Sequence, residues 1–433
     1  MKPLQRRTFL KSSLLATLAA QTRRVAAETP PAAVNSLVPE AASPVLTPPS
    51  LQIPSPTSMG VVWGVATRAT GFVDLATRPD FSDARRVFAG SGGLRALDDA
   101  ALGVRLTGLT PDSVYHYRTG TVPVDFRGPY KILPGEPVLS DAYSFRTPGL
   151  RSPSSFAVIN DTHENHKAFA LLAAKLEELK PAVTVWNGDL CNWLDQMPKM
   201  IQTLLNPGKS AFAVSRPFLF TPGNHDYRGL LARELPRLLL TREPTERASA
   251  YWTLERNYAC RQGEIALIGL DTGEDKPDEH PAWGQLAQFK PYRELQAKWL
   301  ADTLERPEIK SAPYLVAFCH IPLFDESPKA NPGDRLDGWA SWQRHCHELW
   351  SPLFGQYGVQ LVITAHTHRF RYDAPTVKRP WAHLVGGAGC DVPPQGQLTV
   401  IGGRVSGDRL RITAHNLTDG STLGEFDFAP RRV

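Results

Sequence analysis

Five short segments of this chain combine residue types that hold metal ions, and each follows an apolar run. Asn160-Asp161-Thr162-His163 follows Phe156 to Ile159, and Asn187-Gly188-Asp189 follows Val183 to Trp186. Gly223-Asn224-His225-Asp226 follows Phe218 to Phe220, Cys319-His320 follows Leu315 to Phe318, and Ala365-His366-Thr367-His368 follows Val359 to Ile363. Carboxylates, imidazoles and one amide oxygen form a mixed oxygen and nitrogen set suited to Mn, Fe, Zn or Co, and unsuited to Cu(I) or an iron–sulfur cluster. The candidate ligands Asp161, His163, Asp189, Asn224, His320, His366 and His368 exceed the needs of one ion. Two ions sharing a carboxylate would use them all, with Asp189 as the bridge. Such a pair lowers the pKa of a shared water and clamps the oxygens of an in-line displacement at phosphorus. Each segment alone is a weak signal, since Gly-Asp is a common turn. The order of all five, each at a strand end, carries the reading.

The elements that must position these residues follow from the same runs. Short continuous apolar stretches mark strands buried on both faces. Between them lie helical patterns, Phe169-Leu172-Leu176-Leu179 and the stretch from Leu286 through Leu295 to Leu300. Alternation of strands and helices predicts an α/β domain over residues 153–430 with a substantially parallel central sheet, and ligands bind at the carboxyl ends of such strands. The last 50 or so residues return to β-type alternation and extend the sheets at one edge. Residues 46–148 instead show short alternating strands separated by turns, which predicts an all-β sandwich. Leu109-Thr110-Pro111 ahead of Tyr115 reads as a tyrosine corner, and Trp63 as the plug of that core.

Residues 1–27 read as a signal peptide: Arg6-Arg7-Thr8-Phe9-Leu10-Lys11, a mild apolar stretch, Arg23 and Arg24, then Val25-Ala26-Ala27 as a cleavage site. The arginine pair resembles the twin-arginine export signal, which implies the export machinery as a partner and the periplasm or cell envelope of a bacterium as destination. Residues 28–45, rich in Pro and Ala, read as a linker. The net charge of +5 belongs to the leader: without its six basic residues the 48 Lys and Arg fall to 42 against 43 acidic residues. No bias toward polyanions remains, so no nucleic-acid surface is expected. A hydrophobic share of 42% without any apolar run of about 18 residues predicts no membrane-spanning helix in the mature chain. Cys191, Cys260, Cys319, Cys346 and Cys390 lack framework spacing and read chiefly as buried thiols, with one disulfide as the alternative.

The series Asp161-x-His163, Gly188-Asp189, Gly223-Asn224-His225-Asp226, His320 and His366-x-His368 resembles the calcineurin-like metallophosphoesterase superfamily, over roughly residues 153–415. The preceding sandwich, of fibronectin type III kind, is similar to the N-terminal domain of purple acid phosphatases. The resemblance implies one metal on Asp161, His163 and His368, a second on Asn224, His320 and His366, and Asp189 between them. It implies hydrolysis of small phosphate esters by a metal-bridging hydroxide, with His225 assisting the leaving oxygen and Asp226 orienting its imidazole. It departs from purple acid phosphatases at Asn192, where they carry the Tyr that colours Fe(III), and at His163; Ala365 replaces the usual Gly before the His pair.

Monoester, diester and pyrophosphate substrates share these ligands. The sandwich resemblance leans to monoesters, as in an acid phosphatase, with a phosphodiesterase or nucleotide pyrophosphatase as the alternative. A catalytically dead binding module or a metal-storage protein would lack a ligand or a use for His225, and neither lack is seen. Asn192 and Trp193, just past Asp189, are candidate substrate contacts. His166, and His345 and His347 with Trp339, Trp342 and Trp350 in an insertion over residues 325–350, are weaker ones, read first as surface and helix packing. Arg228, Arg369 and Arg371 are the cations near the motifs.

Overall fold

The structure, a computed structural model, describes residues 43–240, 254–324, 339–390 and 396–431, with backbone alone at 339–343. The expected leader, most of the linker and the start of the 325–350 insertion lie outside the described residues, as do the side chains of Trp339 and Trp342.

Strands β1 (Ser50–Ser55), β2 (Ser58–Gly64), β3 (Ala69–Ala76), β4 (Ala101–Thr107), β5 (Val114–Gly128) and β6 (Tyr143–Arg146) make up most of the N-terminal region. There follow β7 (Ser155–Ile159), α1 (His166–Leu179), β8 (Val183–Asn187), α2 (Met197–Leu205), β9 (Phe218–Thr221), β10 (Tyr258–Gln262), β11 (Ile265–Gly269), α3 (Phe289–Leu304) and β12 (Tyr314–Phe318). The chain closes with α4 (Trp339–Tyr357), β13 (Leu361–Thr364), β14 (Arg371–Asp373), β15 (Ala382–Val385), β16 (Thr399–Ser406), β17 (Arg409–Asn416) and β18 (Thr422–Phe428).

The layered α/β fold, with β-sheets flanked by helices, is formed, and the apolar runs divide between two sheets rather than one central sheet. The first runs β18-β17-β16-β7-β8-β9-β1-β2-β4, and the second β10-β11-β12-β13-β15-β14. β7, β8 and β9 are mutually parallel, as are β11, β12, β13 and β15. Strands buried on both faces need two apolar partners each. Phe156, Val158, Val185, Leu267, Val316 and Ile363 fill the core between the sheets. The outer face of the first sheet packs on α1 and α2 through Phe169, Leu172, Ile201 and Leu204, and that of the second on α3 and α4 through Leu300, Leu304, Trp350 and Phe354. Helix, sheet, sheet and helix thus stack as four layers. β16 to β18 extend the first sheet beyond β7, as the terminal alternation predicts.

Part of the β-rich N-terminal region is continuous with this frame. β1 joins β9 in parallel at Gln52 and Phe218, so β1, β2 and β4 prolong the first sheet. Gln52 fastens the join, its Nε2 donating to the Leu238 carbonyl (3.0 Å) and its Oε1 accepting from Leu240 N (2.7 Å). The other face of that segment is covered by β3, β5 and β6, and Trp63 is fully buried between them, with its Nε1 donating to Thr121 Oγ1 at 2.9 Å. The tyrosine corner is formed: Thr110 N donates to the Tyr115 hydroxyl at 2.9 Å. β5 runs on to Gly128 and carries a hairpin beyond the sandwich core.

Candidate metal centre

The first sheet ends β7 at Asp161 and His163, β8 at Asp189 and β9 at Asn224; the second ends β12 at His320 and β13 at His366 and His368. All seven meet in one place. His320 Nε2 lies 3.3 Å from Asp189 Oδ2 and 3.7 Å from Asp161 Oδ1. His163 Nε2 is 3.5 Å from Asp189 Oδ2, His368 Nε2 is 3.3 Å from Asp161 Oδ1, and His366 Nδ1 is 2.8 Å from Asn224 Oδ1. Asp161, Asp189, Asn224 and His320 are all buried.

Buried polar atoms are normally hydrogen-bonded, so those without partners mark a missing neighbour. Asp161 Oδ1, both ring nitrogens of His163 and His320 Nε2 are buried and make no hydrogen bond. His320 Nε2 faces Asp161 Oδ1 at 3.7 Å and His163 Nε2 faces Asp189 Oδ2 at 3.5 Å, gaps longer than ordinary hydrogen bonds and suited to a cation. Asp189, His320 and His366 form one cluster whose ligand atoms lie within 4.8 Å of one another; His163, Asp189 and His225 form another, and His163, His368 and Cys390 a third. The donors therefore fit divalent metal ions.

Electrostatics follow from this crowding. Burial raises the carboxyls of Asp161 and Asp189, but His320 and the other imidazoles outweigh it and hold both below the usual carboxylate range. Burial lowers His320, yet Asp189 and Asp161 carry it up to about 9. His366 is pushed down to about 4 by burial and the His320 charge, and burial also lowers His163. His368 is raised to about 11, first by its contact with Asp161 and then by Cys390.

The backbone is bent to deliver these side chains. Asp161, His163, Asp189, His366 and His368 all have positive φ, between 42° and 68°. Non-glycine residues adopt that region at a cost of order 1–3 kcal/mol, where the surroundings enforce it. Glycines let the bends approach: a Cβ on Gly223 would stand 2.2 Å from Asp189 Oδ1, and one on Gly188 2.3 Å from His320 Nδ1. Asn160 Nδ2 donates to Asp161 Oδ2 (2.7 Å) and to the Gly387 carbonyl (2.5 Å). Asn187 Nδ2 reaches the Cys319 and Ile363 carbonyls, and its own carbonyl meets His320 Nδ1 at 2.8 Å, tying the two sheets together at the site.

The role expected for Asp226 is corrected. Its Oδ2 accepts from Asp189 N (3.0 Å) and Gly223 N (2.8 Å), and its Oδ1 from Leu190 N (3.1 Å). It does not orient the imidazole of His225. The two residues are consecutive in the 3₁₀ turn His225–Tyr227, where neighbouring side chains diverge by about a third of a turn. His225 Nδ1 instead meets the Asn192 carbonyl at 2.9 Å, and its N–H donates to Asp189 Oδ1 at 2.9 Å. Burial and the Asp189 charge push the Asp226 carboxyl up to about 7, against the backbone donors that pull it down.

Asn192 thus reaches the site through its main chain, and its N–H donates to Glu164 Oε1 (3.1 Å). Trp193 is 54% exposed and bonds Asp195. His166 is exposed, as its surface reading expects, and accepts from Gly208 N; His345 lies 3.9 Å from Glu294, and His347 faces Trp381. Arg371 is paired with Asp373, whereas Arg369 lines an open cavity of about 870 Å³ beside His366 and His368. Sequence reasoning missed Cys390, whose Sγ is 4.0 Å from His368 Nδ1; nothing in its spacing signalled this.

The sequence model of the calcineurin-like phosphoesterase family matches residues 154–370. The chain belongs to that family. The chain is 23% identical over 278 residues to a phosphoenolpyruvate phosphatase of Allium cepa, covering 60% of this chain and 50% of the relative. It is 24% identical over 270 residues to probable purple acid phosphatase 20 of Arabidopsis thaliana, covering 60% and 53%. The chain spans about half the length of these curated relatives. Among solved structures, purple acid phosphatase PPD1 from seeds of yellow lupin, Lupinus luteus, superposes with a TM-score of 0.61 at 15% identity, over 90% of this chain and 75% of that one. PhoD superposes with a TM-score of 0.60 at 12% identity, over 90% and 91%. At these identities the likeness is one of fold, and it includes the β-rich N-terminal region.

Proposed function

We propose that the protein is a phosphoesterase dependent on two divalent ions, one held by Asp161, His163 and His368, the other by Asn224, His320 and His366, with Asp189 shared. The observation that carries this reading is the convergence of seven donors from both sheets around buried atoms that lack partners. Ions so held, among Mn, Fe, Zn and Co, supply a water of lowered pKa as nucleophile and neutralise the phosphoryl oxygens. The chain's part is orientation. Asp189 uses Oδ1 on His225 N and keeps Oδ2 toward His163 and His320. The Asn192 carbonyl accepts from His225 Nδ1, which leaves Nε2 as the ring nitrogen to assist a leaving oxygen.

Phosphomonoesters are the proposed substrates, in line with the phosphatase names of the curated relatives. The leader expected over residues 1–27 adds export to the periplasm through the twin-arginine machinery. The test is the initial rate of the protein reloaded with each metal on p-nitrophenyl phosphate and on bis-p-nitrophenyl phosphate. Turnover of the monoester, abolished in Asp189→Asn together with bound metal, is the expected result. Metal-replete protein inactive on both esters would count against the reading, and preference for the diester against the substrate class.

A further inference from the structure

We infer that Arg228 is a phosphoryl-binding residue, preset by Glu274 and Asp275, whose Nη1 exchanges the His225 ring for a substrate oxygen. The inference rests on the phosphoesterase reading and names a further residue of that site. Arg228 Nε lies 2.6 Å from Glu274 Oε1, and Nη2 lies 3.2 Å from Asp275 Oδ1. Nη1 is directed at His225, 2.9 Å from Nε2 and 3.3 Å from Nδ1. A guanidinium has donors and no acceptor, so the ring nitrogen it meets must offer a lone pair. With Nδ1 donating to the Asn192 carbonyl, that nitrogen is Nε2, the atom proposed to assist the leaving oxygen. The two roles fit only if Nη1 moves off to an arriving anionic oxygen, the stronger acceptor for it, and Nε2 then takes up a proton from water before giving it to the leaving oxygen.

The surroundings favour this exchange. Glu274 is fully buried while the Arg228 side chain keeps 28% exposure, so the fork is anchored at its base and open at its tip. The His225 ring that Nη1 meets groups with His163 and Asp189, their ligand atoms within 4.8 Å of one another, which places the guanidinium beside the proposed metal centre. Lys276 Nζ sits 2.7 Å from Asp275 Oδ1. Burial and Asp275 push the Glu274 carboxyl up to about 8. At neutral pH the carboxyl pair therefore carries about one negative charge beside two cations, and the cluster retains positive charge for an anion.

The experiment uses the full chain loaded with Mn. It measures the affinity for inorganic phosphate by calorimetry, KM and kcat on p-nitrophenyl phosphate, and bound metal, in wild type, Arg228→Met and Arg228→Lys. Arg228→Met should weaken phosphate binding about 10–100-fold and raise KM in parallel, with metal content unchanged. Arg228→Lys keeps the charge without the fork and should recover part of the loss. Phosphate affinity unchanged in both variants would overturn the inference while leaving the phosphoesterase reading intact. So would loss of metal in step with phosphate, which would make Arg228 a support of the centre. A wild type that binds phosphate through Arg228 yet hydrolyses neither ester would sink the phosphoesterase reading alone.

Discussion

Asp226→Asn separates two accounts of the residue beside His225. The carboxylate accepts three backbone N–H groups, two on Oδ2 from Asp189 and Gly223 and one on Oδ1 from Leu190. An amide of the same shape keeps one acceptor. Placed at Oδ2, its oxygen preserves two bonds, and its NH₂ then faces the Leu190 N–H, leaving that buried donor without a partner. Loss of that one bond, with its buried donor left unpaired, amounts to about 1–3 kcal/mol. Because the lost bond restrains Leu190 N, the residue next to Asp189, the Asp189 carboxylate of the proposed metal centre should drift, and metal affinity should fall about 10–100-fold, as it does when supports of ligands are removed. The assay is metal stoichiometry by titration, with turnover, in Asp226→Asn, His225→Ala and the double variant. His225→Ala should retain metal and lose turnover. The two changes should combine additively within about 0.5 kcal/mol, since the His225 ring and the Asp226 carboxylate share no partner. Were Asp226→Asn to keep full metal content and to cost nothing once His225 is alanine, Asp226 would act through the imidazole after all and the correction would be wrong.

Other perturbations test the frame. Gly223→Ala places a Cβ 2.2 Å from Asp189 Oδ1 and 2.5 Å from Asp189 N, so bound metal and turnover should both fall, by roughly tenfold or more. Tyr115→Phe removes the acceptor of Thr110 N and should lower stability to urea by about 0.5–1.5 kcal/mol with turnover unchanged. Asp74 lies buried between Arg86 (2.7 Å) and Arg118 (3.2 Å); burial raises its carboxyl, but the two guanidiniums hold it below its ordinary 3.8. A depressed folded pKa contributes stability that is fully present above the unfolded value and lost as pH falls through the folded one. The gap in stability between wild type and Asp74→Asn should therefore be constant at neutral pH and close below about pH 4, as urea midpoints taken across pH would show.

The strand ends were legible because local rules agree there. An apolar run of four or five residues broken by Asp, Asn or His has few readings other than a buried strand ending at a polar crevice. The tyrosine corner and the Trp63 plug were legible for the same reason, since both are local patterns with fixed spacing. The division into two sheets was not, because a strand buried on both faces has the same sequence in either. Nor was the join of β1 to β9, made at Gln52 and Phe218 across more than 160 residues. The error at Asp226 came from equating adjacency with contact. In a 3₁₀ turn residues three apart eclipse, and the residue three after His225 is Arg228, whose guanidinium does meet the ring. The signal was present, but it required knowing the turn type.

Strain links these points to function. Five of the seven proposed ligands sit at positive φ, and at 1–3 kcal/mol each the total is of order 5–15 kcal/mol, comparable to the net stability of a whole domain. No such sum persists unless the frame enforces it. Here enforcement is visible in Asp226 on the Asp189 bend, Asn160 on Asp161 and Asn187 across both sheets. Each is a buried polar side chain and none is a proposed ligand: Asp226 and Asn187 bond backbone, and Asn160 bonds the Asp161 carboxylate and the Gly387 carbonyl. The fold, rather than the ions, then fixes where the donors stand, so a chelated sample should keep its near-ultraviolet circular dichroism and regain activity on metal addition without a slow refolding phase. A centre that collapsed on chelation would show that the ions hold the bends, and would remove Asp226, Asn160 and Asn187 from the account of how the site is built.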